Sequence, residues 1–149
     1  MMKYKYLYLI FIIVLSCKSD NFLKVEKRTP DGTLVYTCII DTTNNKNDTI
    51  EKTEFYPNGK IRVKGTYKNN LREGLWEYYH ENGKLWSTGN FVNGKSNGVF
   101  TIYNKDGSLF MKSSYKNGKP DGKWSFYENN KLKKEVYFSN DSIVKEINY

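Results

Sequence analysis

The sequence predicts an all-β fold, an elongated antiparallel β-meander of repeated hairpins of about 24 residues each, on three observations. Gly59, Gly83 and Gly107 are 24 residues apart, as are Tyr67, Phe91 and Tyr115, and as are Trp76, Phe100 and Trp124. Three independent columns sharing one period mark a tandem array in which each unit buries its apolar side against the next. Within the units, Ile61, Val63, Gly65 and Tyr67 fall on alternate positions, as do Leu85, Ser87, Gly89 and Phe91, and Leu109, Met111, Ser113 and Tyr115. A period of two means a strand, so each set is expected to share one face of the sheet. Asn-Gly and Asp-Gly pairs separate these runs, and they suit turns whose residues need positive φ.

Taken in order, residues 1–16 have the three parts of an export signal: Lys3 and Lys5, an apolar run from Tyr6 to Leu15, and the small Ser16. A membrane-spanning helix needs about 20 apolar residues, and this run ends sooner, at Lys18-Ser19-Asp20-Asn21. Val14-Leu15-Ser16-Cys17 resembles the lipobox of bacterial lipoproteins, with Val and Leu at its first two positions where Leu and a smaller residue are usual. The resemblance implies cleavage before Cys17 and a diacylglyceryl group on its sulfur, with palmitate-type chains. More than one acyl chain is what stable membrane attachment requires. Lys18 stands where Asp would signal inner-membrane retention, which implies delivery to the outer membrane. Residues 17–29 then read as a lipidated tether. Residues 30–54 read as a degenerate repeat with a turn at Pro30-Asp31-Gly32 and a loop from Asp41 to Thr49, and residues 55–138 as the repeat array. Residues 139–149 read as a C-terminal edge strand.

The signature positions are Gly59, Gly65, Tyr67, Gly74 and Trp76 in the first unit and Gly83, Gly89, Phe91 and Gly98 in the second. In the third they are Gly107, Tyr115, Gly122 and Trp124. Glycine in the middle of a strand weakens it, so Gly65 and Gly89 are expected to mark a bend or close contact with a neighbouring ring. The strings Tyr79 to Leu85, Gly89 to Lys95 and Gly74-Leu75-Trp76 resemble the bacterial variant of the MORN repeat. The resemblance covers roughly residues 55–138 and departs from the usual glycine at Asn70, Ser113 and Asn130. It implies a meandering sheet with a binding or scaffolding role close to a membrane, through protein or lipid contacts. Many bacterial chains of this type are described as antitoxin components of toxin–antitoxin systems.

The formal charge of +8 falls to +6 once residues 1–16 are removed, and the remaining lysines are dispersed at turns. No nucleic-acid partner is expected from such a pattern. With Cys17 lipidated, Cys38 has no partner for a disulfide, and its β-branched surroundings make it a buried strand thiol. His80 sits in a hairpin turn without His, Cys or carboxylate neighbours at useful spacing, and Glu73, Glu77, Glu81 and Asp121 fall at turn or exposed strand positions. No catalytic residue, metal site or cofactor is therefore expected. The expected role is that of a noncatalytic, membrane-anchored protein-interaction or scaffold module at the bacterial envelope, with Ile143 and Ile147 on the edge strand as contact residues. A second reading is a glycan- or lipid-binding aromatic sheet, with Trp86 on the face opposite Leu85. A third is an antitoxin or immunity protein that neutralises a toxin.

Overall fold

A computed structural model describes residues 21–43 and 48–149. They form one antiparallel sheet and, among the described residues, no helix. The strands are β1 (Phe22–Arg28), β2 (Leu34–Asp41), β3 (Asp48–Phe55), β4 (Ile61–Lys68), β5 (Leu71–Tyr79), β6 (Leu85–Val92) and the short β7 (Lys95–Ser96). They continue with β8 (Gly98–Tyr103), β9 (Leu109–Lys116), the short β10 (Lys119–Pro120), β11 (Gly122–Glu128), β12 (Lys131–Ser139) and β13 (Ser142–Asn148). Neighbours in the sheet are neighbours in the chain: the path runs from β1 to β13, with β7 beside β6 and β10 beside β9. β1 and β13 are the two edges.

Two kinds of turn alternate, one on each rim, with one exception. On one rim the pairs Asn69-Asn70, Asn93-Gly94, Asn117-Gly118 and Asn140-Asp141 have positive φ at both residues, as does Asn129-Asn130 on the opposite rim, all between 46° and 84°. That is the two-residue turn whose twist matches the strands it joins. Asn70 and Asn130 therefore do the work of the glycine that usually stands there. On the other rim, Tyr56 N–H donates to Lys60 O at 2.8 Å, and the equivalent bonds join His80 to Lys84 and Asn104 to Ser108.

Along one face seven rings form an unbroken ladder: Tyr67, Trp76, Phe91, Phe100, Tyr115, Trp124 and Phe138. Successive centroids are 4.9–6.1 Å apart. A one-layer sheet has no second layer to bury its apolar face, so edge-on and tilted aromatic contacts supply the core. Its centre is Val63, Trp76 and Phe91, with Tyr67, Tyr78 and Phe100 packed around them. A Cβ on Gly65 would stand 2.3 Å from the Trp76 ring, and one on Gly89 would stand 2.1 Å from Phe100. Both mid-strand glycines thus mark close ring contact, as expected.

Three expectations need correction. Residues 17–29 are not all tether: Phe22–Arg28 is β1, hydrogen-bonded along β2 from Phe22 opposite Asp41. Its alternating Leu23, Val25 and Lys27 carry no Asn-Gly signal, which is why the run reads as linker. The Asp41–Thr49 loop is also shorter than expected, since β2 reaches Asp41 and β3 begins at Asp48. Finally, Ile61, Leu85 and Leu109 do not share a face with the alternate residues that follow them. The register jumps at each of these sites: Glu54 faces Val63 while Phe55 faces Ile61, and Tyr78 faces Ser87 while Tyr79 faces Leu85. In the third unit Ile102 faces Met111 while Tyr103 faces Leu109. Arg62, Trp86 and Phe110 are the extra residues of these bulges. An inserted residue reverses the alternation.

The C-terminal end is fastened by a polar clamp. Glu135, 6 % exposed, receives Lys123 at 2.9 Å, the Tyr137 hydroxyl at 2.8 Å and the Tyr149 hydroxyl at 3.1 Å. The Lys123 ammonium and the Tyr137 hydroxyl hold the Glu135 carboxyl below its ordinary value against the opposing effect of burial.

Candidate interaction surfaces

Cys17 lies outside the described residues. Of the other positions singled out from the sequence, the signature glycines and rings form turns and the ladder, so they build the scaffold. Ile143 and Ile147 lie on β13, as expected of an edge strand, with Ile143 61 % exposed and Val144 64 %. Val144 is the extra residue of a bulge, because Tyr137 faces Lys145 while Phe138 faces Ile143. A bulge limits indiscriminate edge pairing. Beyond it, Lys145 to Asn148 runs in regular register along Tyr137 to Lys134 and offers its outer side unpaired.

Trp86 does lie opposite Leu85, but the bulge places it on the aromatic face. Its ring stands edge-on to Tyr78 at 6.2 Å and beside His80 at 6.0 Å, and it is 47 % exposed. His80 itself is a rim residue: its Nε2 is 3.1 Å from Tyr103 O, the counterpart of the Tyr56 hydroxyl, which donates to Tyr79 O at 2.7 Å. Similar bonds repeat beside it, with Asn58 donating to Glu81 O and Asn82 to Lys105 O. These staples join one unit to the next.

Around Trp86, the side chains of Glu54, Arg62, Arg72, Trp76 and Tyr78 line an open hollow of about 370 Å³. The Arg72 guanidinium lies 4.5 Å from the Trp76 ring centroid and 5.3 Å from that of Phe91, a cation–π arrangement, and donates to the Tyr78 hydroxyl at 2.9 Å. Burial raises the Tyr78 phenol above its ordinary value, with Arg72 opposing, so its hydroxyl stays protonated. Glu54 is paired to Lys52 at 2.8 Å and to Arg62. Burial pushes its carboxyl up, yet the two cations outweigh that effect and hold it below the ordinary value.

Reading the sequence alone misses Glu54, Arg62 and Arg72 because they come from three strands. The available signal is the period itself: Arg62 precedes Trp86 by 24 residues and Arg72 precedes Ser96 by 24, so both break their columns.

A comparison with curated proteins found no match. The MORN repeat variant matches four times, at residues 49–69, 72–93, 96–117 and 120–140, so that the array begins at 49, earlier than the 55 read from the turn signals. The matched segments cover more than half of the chain and follow the hairpins strand for strand, and the chain belongs to the MORN repeat variant family.

Proposed function

We propose that the chain is a noncatalytic interaction module, held at the bacterial envelope by a lipid on Cys17 and recruiting a protein partner along β13. MORN repeats in general serve protein or membrane interactions. The observation that carries the reading is the open outer side of β13 from Lys145 to Asn148, with Ile143 and Val144 exposed at the bulge beside it. An incoming strand gains main-chain hydrogen bonds there and apolar contact from Ile143 on one face and the half-buried Ile147 on the other.

Two measurements in intact cells test it. Cys17→Ser is expected to move the chain from the membrane fraction to the soluble fraction, because no acyl chain is then attached; a variant that stays in the membrane rejects the anchor. For the partner, cross-linking followed by mass spectrometry is compared between the natural chain and the double variant Ile143→Lys, Ile147→Lys. Recovery of the dominant partner is expected to fall about tenfold, the size of one lost interface anchor. Equal recovery sinks the edge proposal. A toxin as that partner makes the module an immunity protein, and envelope proteins make it a scaffold.

A further inference from the structure

The repeat supplies its own controls. A side chain that a column needs for folding recurs at intervals of 24 residues, whereas one that appears once answers to something else. Positions equivalent to Arg62 hold Trp86 and Phe110, those equivalent to Arg72 hold Ser96 and Pro120, and those equivalent to Glu54 hold Tyr78 and Ile102. The second and third hairpins form without a charge at any of the three places, and in the fourth the bulge residue is Lys133 while Phe126 stands at the Glu54 position, so the three charges occur together in one unit. Yet Glu54, Arg62 and Arg72 converge on one hollow, beside a tryptophan that is 47 % exposed.

We propose that this hollow binds an acidic sugar: a pyranose ring carrying a carboxylate, stacked by its C–H face on Trp86, with the carboxylate on Arg62 and the hydroxyls shared between Glu54 and Arg72. The inference is independent of the β13 edge. Each part of the lining selects for part of this ligand. A flat, half-exposed indole stacks on an apolar ring face. Arg62 and Arg72 are two guanidiniums, each with donors left over after its bond to Glu54 or Tyr78, which favours an anionic group. Glu54 is an acceptor and suits a ligand that also brings hydroxyl donors. An acyl chain in the same place would strip water from Glu54 and Arg62 without replacing its hydrogen bonds, which is costly. A bare phosphate would leave Trp86 without a role. The 370 Å³ volume falls in the lower part of the range for small-ligand sites, room for one or two sugar rings.

The experiment is a calorimetric titration of the full chain in detergent with two uronic-acid oligomers, a galacturonate trimer and a glucuronate-containing tetrasaccharide, and with a neutral galactose trimer. Saturable binding of at least one acidic oligomer is expected, weakened about tenfold in Arg62→Ala and in Trp86→Ala, the loss that follows from one charged hydrogen bond or one stacking platform. Phe110→Ala, at the equivalent bulge outside the hollow, is expected to bind like the natural chain. All three residues are exposed, so thermal midpoints should not move. No saturable binding of either acidic oligomer overturns the proposal, as does equal binding of the neutral trimer or an equal loss in Phe110→Ala. Phosphatidylglycerol vesicles that bind through Arg62 and Trp86 while both oligomers stay inert would replace the sugar with a lipid headgroup.

Discussion

Truncating Trp76 to alanine is expected to destabilise the fold by about 4 kcal/mol, the middle of the range for a buried aromatic. Trp76 is 2 % exposed and is the one ring that touches Tyr67, Tyr78 and Phe91 together. Its indole N–H donates to Thr66 O at 3.1 Å, bridging the place where β5 departs from regular register with β4. Arg72 covers its outer side and the bare backbone of Gly65 lies beneath. Alanine removes these contacts and opens a cavity that one layer of strands has nothing behind it to fill. In differential scanning fluorimetry the midpoint should fall on the order of 10 °C, whereas Phe110→Ala should leave it nearly in place. A similar small shift for both variants would mean that the ladder is not the core.

The repeat made most of this sheet legible in advance. Each column of rings and each Asn-Gly turn is a local statement, and the period joins them, so strand order and the identity of the core rings followed without long-range information. The bulges at Arg62, Trp86 and Phe110 were hidden because an inserted residue needs no glycine or proline, and alternation read through it assigns the wrong face to everything before it. β1 was hidden for a different reason: Phe22–Arg28 pairs with β2 across a turn of different composition, and its polar half resembles a linker. The hollow was least visible, since what unites Glu54, Arg62 and Arg72 is registration between strands. Only the comparison of units with one another shows that these three side chains occur together once.

Gly89→Ala is expected to destabilise the chain by about 3 kcal/mol, although alanine is ordinarily the better strand residue by about 0.5–1 kcal/mol. The sign turns on Phe100, whose ring carbons would lie 2.1 and 2.5 Å from the new methyl group. The ring is held between Phe91 at 5.4 Å and Tyr115 at 5.1 Å, so it cannot step aside without disturbing two neighbours. The third unit shows what accommodation looks like. There Ser113 replaces the glycine, with a side chain 1 % exposed and its hydroxyl without a hydrogen-bond partner. The equivalent ring pairs respond: the interplanar angle is 88° for Tyr67 and Trp76, 79° for Phe91 and Phe100, and 52° for Tyr115 and Trp124. The pair is most tilted in the unit whose strand carries a Cβ at residue 113. Gly89→Ala asks Phe100 for the same tilt without the compensating changes of the third unit, and a chemical-denaturation curve measures the cost. A variant as stable as the natural chain would show that the ladder re-tilts freely and that the mid-strand glycines are dispensable.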